Sequence, residues 1–157
     1  MGAAASAVRA RRGDDLIRQA LEILDRRLRR PGEALGSPGT VRDYLKLRLA
    51  EMEREAFLVL FLDGQHRLLE CAVLFYGSIS QTTVHPREIV KLALAHNAAG
   101  VILAHNHPSG VVEQSPCDEM LTQEIKRALA LVDVRVHDHF IVAGAAEPLS
   151  FAEKGLL

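Results

Sequence analysis

The chain has 157 residues, of which 48% are hydrophobic and 25% are charged, and its formal net charge is −1. One domain of ordinary size can build a core from this composition. The two cysteines, Cys71 and Cys117, are too few for a disulfide scaffold and suit a reducing compartment, and no apolar run approaches the roughly 18 residues of a membrane span. We therefore expect a cytoplasmic protein with no membrane partner.

The charge is unevenly distributed along the chain. Residues 1–30 contain eight arginines and four acidic residues, so this part carries +4 and the remainder carries −5. A basic arm on an acidic domain indicates nucleic acid or another acidic partner. A solvated, arginine-rich helix face explains the same composition, and we favour that simpler interpretation.

The N-terminal part is predicted to be a short arm. The first 13 residues are small and basic and are expected to be disordered. From Asp15 a helix is predicted, which ends before Pro31 because proline and glycine follow. A glycine-rich linker completes residues 1–39, so the main domain is assigned to residues 40–157. The apolar positions with helical spacing are Leu16, Ile17, Ala20, Leu21, Leu24 and Leu28.

The first half of the main domain is predicted to be a helix followed by two strands. Thr40 is expected to cap the helix, with Asp43 completing a capping box. Residues 57–62 are apolar at every position, which is typical of a strand buried on both faces. An Asp-Gly turn then leads into a return strand over 67–75, and residues 82–84 are a candidate extension of the sheet.

The second half alternates helices and strands. Pro86 lies in the first turn of a helix that Gly100 is expected to end. A strand over 101–104 follows, and Ser115 begins a further helix. Residues 134–136 and 140–142 indicate a last strand or a pair of strands. This order predicts an α/β domain with a mixed β-sheet in two or three layers.

A candidate metal site lies where the strand over 101–104 ends. His105 and His107 are two residues apart, so both side chains can point to one face of a strand. Asp118 follows His107 after ten residues and takes the third position of the next helix if Ser115 is its cap. Two imidazoles and one carboxylate leave a fourth position open for water, which is typical of catalytic zinc (Zn²⁺).

These motifs resemble the zinc motif of the JAMM (MPN-plus) metallo-hydrolases. The wider pattern is similar to the RadC-like (JAB domain) branch of that family, over about residues 41–157. The helix-hairpin-helix region of full-length RadC proteins is not recognisable in residues 1–40, so the chain resembles a short or truncated member. The residues that carry the resemblance are Pro86-Arg87-Glu88, His105-Asn106-His107-Pro108-Ser109-Gly110, Ser115, Asp118 and Asp138-His139.

The resemblance implies a fold, a cofactor and a reaction. The fold is a cytidine-deaminase-like (JAB/MPN) mixed sheet flanked by helices. JAMM enzymes are zinc metalloproteases that cleave peptide or isopeptide bonds in protein or peptide substrates with zinc-activated water. Glu55, just before the buried strand, matches the family's general base, and Glu88 is the second choice. Ser115 matches the serine that helps to stabilise the oxyanion, although an ordinary helix cap explains it equally well.

Three alternatives remain beside this interpretation. A zinc deaminase would need a His-x-Glu and a Pro-Cys-x-x-Cys motif, and the second cysteine is missing. His137, Asp138 and His139 suggest a second metal site, because strand alternation would place the two histidines on one face. No third ligand is evident on that face, so supporting or packing roles are favoured for these residues. The serious rival is a non-catalytic module that binds protein or DNA in DNA repair.

Overall fold

The computed structural model describes residues 2–30, 35, 37–77 and 84–157. The order of elements along the described residues is α-α-β-β-α-β-α-β-β. The helices are α1 (Gly2–Leu28), α2 (Pro38–Leu49), α3 (Pro86–Ala95) and α4 (Pro116–Ala130). The strands are β1 (Ala56–Leu62), β2 (Leu68–Tyr76), β3 (Gly100–Asn106), β4 (Arg135–Val142) and β5 (Leu149–Ser150).

The strands form one mixed sheet in the order β2-β1-β3-β4-β5. β1 is antiparallel to both β2 and β3, and β5 is antiparallel to β4. β3 and β4 are parallel, with α4 as the crossover between them. Two consequences matter for the site. The carboxyl ends of β3 and β4 lie at the same edge, and the beginning of β1 lies at that edge too.

Helices cover both faces of the sheet, which gives three layers. Leu58 and Leu60 of β1 belong to the core cluster under α1 and α2, whereas Phe57 and Val59 belong to the cluster under α3 and α4. This alternation explains why the strand is apolar at every position, and the predicted buried strand is confirmed. The fully or largely buried helix residues are Leu28, Val41, Tyr44, Leu45 and Leu49 on one side, and Ile89, Ala93, Ile125 and Leu129 on the other.

Two helices begin earlier than predicted. α1 begins at Gly2, so the expected disorder is wrong for residues 2–13; alanine and arginine, which dominate this segment, are strong helix formers. α2 begins at Pro38 with Ser37 as its cap, and the backbone N–H of Thr40 donates to the Ser37 hydroxyl at 3.3 Å. Thr40 is therefore capped and does not act as the cap, because Pro38 fits the first helical position.

Gly100 has a packing role, and its predicted role as the end of α3 is wrong. The helix ends at Ala95, and the chain turns at Asn97, whose φ is 51°. Gly100 is the first residue of β3. A Cβ atom there would lie 2.2 Å from Nε2 of His137 and 3.2 Å from the carbonyl oxygen of Arg135. The imidazole of His137 therefore occupies the space that a side chain at residue 100 would take.

The C-terminal strands follow one of the two predicted options. Residues 134–136 and 140–142 belong largely to the single strand β4, and β5 is an additional short edge strand that was not predicted. Residues 82 and 83 of the predicted sheet extension lie outside the described residues. Within the part of the chain that is described, no helix combines the length and apolarity needed to cross a bilayer.

Candidate metal centre

The two histidines and the aspartate of the predicted site meet at the edge where β3 ends. His105 is the penultimate residue of β3, His107 follows the strand, and Asp118 lies in the first turn of α4. Each of the three offers one ligand atom, and these atoms lie within 4.8 Å of one another. The prediction that this sequence pattern brings three potential metal ligands together is therefore confirmed.

The spacing of these atoms suits a tetrahedral ion. His105 Nε2 lies 3.0 Å from His107 Nε2 and 3.4 Å from Asp118 Oδ1, and His107 Nε2 lies 4.0 Å from Asp118 Oδ2. Ligand atoms at the usual zinc distances of about 2.0–2.1 Å, in tetrahedral geometry, are about 3.3 Å apart. The residues present therefore fit zinc in both chemical type and separation.

His107 is held with its ligand nitrogen facing the cluster. Its Nδ1 lies 2.9 Å from the carbonyl oxygen of Val111, and a carbonyl can only accept. Nδ1 therefore carries the proton, and Nε2 has a free lone pair directed at His105 and Asp118. The loop between β3 and α4 thus orients the ligand that it carries.

Ser115 and Asp118 form a reciprocal capping box at the start of α4. The backbone N–H and the hydroxyl of Ser115 donate to Asp118 Oδ2 at 2.8 and 2.7 Å, and the N–H of Asp118 donates to the Ser115 hydroxyl at 3.2 Å. Oδ1 is left to face His105. The hydroxyl proton of Ser115 is used by this box, so its oxyanion role stays a prediction.

Behind the ligands lie Thr122, which sequence reasoning missed, and His139, for which it favoured a supporting or packing role. His139 Nε2 lies 2.8 Å from His105 Nδ1, and His139 Nδ1 lies 2.6 Å from the hydroxyl oxygen of Thr122. Thr122 also donates to the backbone carbonyl of Asp118 at 2.6 Å. The helical spacing of four between Asp118 and Thr122 is the sequence signal that places both on one face of α4.

Both buried histidines are kept neutral. Burial lowers the pKa of His105 to about 4, although the carboxylate of Asp118 opposes that shift and His107 adds to it. Burial also lowers the pKa of His139 well below its usual value. At physiological pH His105 is therefore in the neutral form that binds a metal ion.

Glu55 directly precedes β1. β1 pairs Phe57 with His105, and the two ring centroids are 6.3 Å apart. Glu55 is two residues before Phe57, so strand alternation predicts that it faces the same side of the sheet as His105, and its role as the base stays a prediction. Its carbonyl oxygen accepts from the N–H of Gly77 at 2.8 Å, which ties this segment to β2.

Glu88, the second choice for the base, lies in the first turn of α3. Its carboxylate accepts from Lys91 at 3.0 Å and from Arg87 at 3.2 Å. The bond to Lys91 lowers the pKa of Glu88. Glu88 is thus a half-exposed acid of the first helical turn, and its role as the second choice for the base stays a prediction.

Asn106, between the two histidines, holds the segment that carries Glu55. Its side-chain oxygen accepts from the N–H of Ala56 at 2.7 Å. Its side-chain amide donates to the carbonyl oxygens of Met52 and Arg54 at 3.2 and 3.0 Å. Asn106 is 2% exposed, so these three bonds satisfy backbone groups away from water. The sequence alone offers no signal for this role, because the partners lie some fifty residues away.

Replacing Asn106 with alanine is expected to lower the free energy of unfolding by about 2–4 kcal/mol, because three backbone groups lose their partner. Urea unfolding of the metal-free protein measures this change. Glu113→Ala, at an exposed position in the loop that follows β3, is the control and should change stability by less than about 0.5 kcal/mol. An equally small loss in Asn106→Ala would contradict the assigned role.

The predicted placement of His137 and His139 on one face is wrong. The pairing of β4 with β3 shifts between Val101 and Ile102, which leaves His137 as an extra residue. Such a bulge breaks the alternation. His137 lies against Gly100 and against His66, with ring centroids 4.6 Å apart, whereas His139 lies behind His105.

Asp138 has a structural role at the end of the sheet. Its carboxylate accepts from the hydroxyl of Ser150 at 2.6 Å, from the N–H of Ala152 at 3.0 Å and from the N–H of His139 at 2.7 Å. These bonds fasten β5 and the C-terminal turns to β4. Asp138 therefore supports the strand on which His139 lies.

Comparison with known proteins supports the resemblance to the RadC-like family. A family model described as "RadC-like JAB domain" matches residues 35–156. A UPF0758 protein of Dechloromonas aromatica (strain RCB) is 62% identical over 125 residues, which make up 80% of this chain and 55% of that protein. UPF0758 protein YeeS of Escherichia coli (strain K12) is 52% identical over 142 residues, 90% of this chain and 95% of YeeS. The chain thus spans about half the length of the first relative and nearly all of the second. The five-stranded mixed sheet flanked by helices is the fold expected of this family, and the chain belongs to the RadC-like JAB domain family.

Proposed function

We propose that this chain is a zinc-dependent hydrolase of the JAMM type, which cleaves a peptide or isopeptide bond with Glu55 as general base. The observation that carries the proposal is the convergence of three potential ligand atoms, from His105, His107 and Asp118, at one edge of the sheet. Membership of a JAB domain family supports it, because such domains are often hydrolytic.

The donor set favours zinc over other metals. Imidazole nitrogens suit zinc, whereas magnesium and calcium prefer oxygen ligands. When bound by two histidines and one carboxylate, zinc has an open position and lowers the pKa of a coordinated water from about 15.7 to roughly 7. His105 is 0% exposed and Asp118 is 2% exposed, so these two ligands lie away from water. Charge interactions are stronger in such surroundings than in water.

The remaining work falls to residues around the ligands. The carboxylate of Glu55 would take a proton from the attacking water and deliver it to the leaving nitrogen as the peptide bond breaks. Ser115, which borders the same site, is proposed to help stabilise the oxygen of the scissile carbonyl. To do so its hydroxyl would have to turn away from Asp118, which it now contacts.

The partners of the protein stay predictions. A protein or peptide substrate follows from the proposed reaction. Binding of nucleic acid by the arginines of α1, and a cytoplasmic location, are expectations from composition. In this structure Arg18 pairs with Asp15, and Arg29 donates to the carbonyl oxygen of Leu69, so part of the basic charge already has partners within the chain.

The proposal is tested by hydrolysis that depends on zinc. The purified chain is incubated with a mixture of peptides and with lysine-linked isopeptide reporters, and products are identified by mass spectrometry. We expect cleavage by the zinc-loaded protein, loss of cleavage after treatment with a chelator, and recovery when zinc is restored. Cleavage that persists at full rate in protein shown to be free of metal would contradict the proposal.

A further inference from the structure

We propose that Thr122 and His139 are positioning residues that hold His105 as the tautomer with its proton on Nδ1. In that tautomer Nε2 presents a lone pair to the metal. The inference rests on the metal site proposed above, and it deepens that proposal by assigning two further residues to it. It follows from the order of donors and acceptors in a buried series of hydrogen bonds from Asp118 through Thr122 and His139 to His105.

This series of hydrogen bonds begins at the backbone carbonyl of Asp118, one of the potential metal ligands. The carbonyl oxygen of Asp118 can only accept, so the bond of 2.6 Å to Thr122 uses the single hydroxyl proton of the threonine. The threonine oxygen then has only acceptor capacity left. Its contact of 2.6 Å with His139 Nδ1 therefore requires the proton of that contact to lie on Nδ1.

The next link is the imidazole of His139. The side chain is 0% exposed, and the rings of Phe57 and Phe151 lie 5.7 and 4.7 Å from it. In these apolar surroundings the neutral ring, with a single proton, is favoured. Because that proton is on Nδ1, Nε2 is an acceptor, and the contact of 2.8 Å with His105 is donated by His105 Nδ1.

The last link is the ligand itself. With its proton on Nδ1, His105 has a lone pair on Nε2, which faces His107 Nε2 at 3.0 Å and Asp118 Oδ1 at 3.4 Å. Because His107 Nε2 also carries a lone pair, these three atoms repel one another unless a cation lies between them, as in a metal site. The opposite tautomer would direct an N–H into the same space and exclude a cation. The series of hydrogen bonds also connects two ligands from different elements, because it starts at Asp118 in α4 and ends at His105 in β3.

Two substitutions at Thr122 separate hydrogen bonding from packing. Thr122→Val keeps the shape of the side chain and removes the hydroxyl, whereas Thr122→Ser keeps the hydroxyl and removes a methyl group. Zinc affinity is measured for both variants and the wild type by competition with a chromophoric chelator. Nitrogen-15 spectra of the histidine rings in metal-free protein report which nitrogen carries each proton.

We expect Thr122→Val to weaken zinc binding by about 10- to 100-fold, as for other residues that orient a metal ligand. We expect Thr122→Ser to stay close to the wild type. The spectra of the metal-free wild type should show the protons of His105 and His139 on Nδ1. Equal affinities of Thr122→Val and wild type, a larger loss in Thr122→Ser than in Thr122→Val, or a proton on Nε2 of His105 would each overturn the inference.

These outcomes are distinct from failure of the proposed function. A wild-type chain that binds no zinc would refute the metal site, whereas the spectra would still decide the tautomer of His105. A wild-type chain that binds zinc, together with an unaffected Thr122→Val, would leave the metal site intact and refute only the positioning role.

Discussion

Replacing His105 or His107 with alanine is expected to reduce bound zinc from about one ion per chain to nearly none. Zinc held by three protein ligands loses a third of its protein coordination in either variant, and the two that remain cannot hold the ion against a chelator. Metal analysis after gel filtration with a mild chelator measures the bound zinc. The fold of His107→Ala should persist, because His107 is partly exposed and follows the end of β3, and His105→Ala is checked by circular dichroism because His105 is buried.

A matched control is available at the other end of the same strands. His137 lies against Gly100, the first residue of β3, and contacts His66 rather than the ligand cluster. His137→Ala removes an imidazole from the same sheet and should retain a full complement of zinc. Equal zinc contents in His137→Ala and His105→Ala would show that the ion binds elsewhere.

Replacing Glu55 with glutamine is expected to leave zinc content unchanged and to lower hydrolysis by about 10²- to 10⁴-fold, the usual contribution of a general base. The amide cannot take the proton of the attacking water, although it has nearly the same shape as the carboxylate. Zinc content and reporter cleavage are measured on the same preparation, so that loss of metal cannot be mistaken for loss of the base.

Two controls accompany this variant. Glu53→Gln removes an exposed carboxylate two residues earlier and should retain activity. Glu88→Gln tests the second choice for the base, and its carboxylate is engaged by Lys91 and Arg87 in this structure. Full activity in Glu55→Gln, with a loss in Glu88→Gln, would assign the base to α3.

The ligand cluster could be predicted from the sequence because its geometry is local. His105 and His107 are two residues apart at a strand end, and the capping box of Ser115 and Asp118 fixes the carboxylate on the next helix. Short-range rules for strands and helix starts are sufficient for such a site. The buried strand β1 could also be predicted from the sequence, since it is apolar at every position.

The specific contacts of the supporting residues could not be predicted, because they depend on sheet order. Asn106 contacts a segment that β1 brings to the end of β3, and His139 reaches His105 only because β4 lies beside β3. The bulge at His137 is a further obstacle, since simple alternation assigns His137 and His139 to one face. Such irregularities follow from the packing of neighbouring strands, which a single sequence does not display.

The most direct test of the central claim is the anomalous scattering of zinc in crystals of the zinc-loaded protein. We expect one strong peak within about 2.0–2.2 Å of Nε2 of His105, Nε2 of His107 and a carboxylate oxygen of Asp118, the usual zinc distances. Absence of a peak among these three residues, in crystals whose protein carries zinc, would contradict the account.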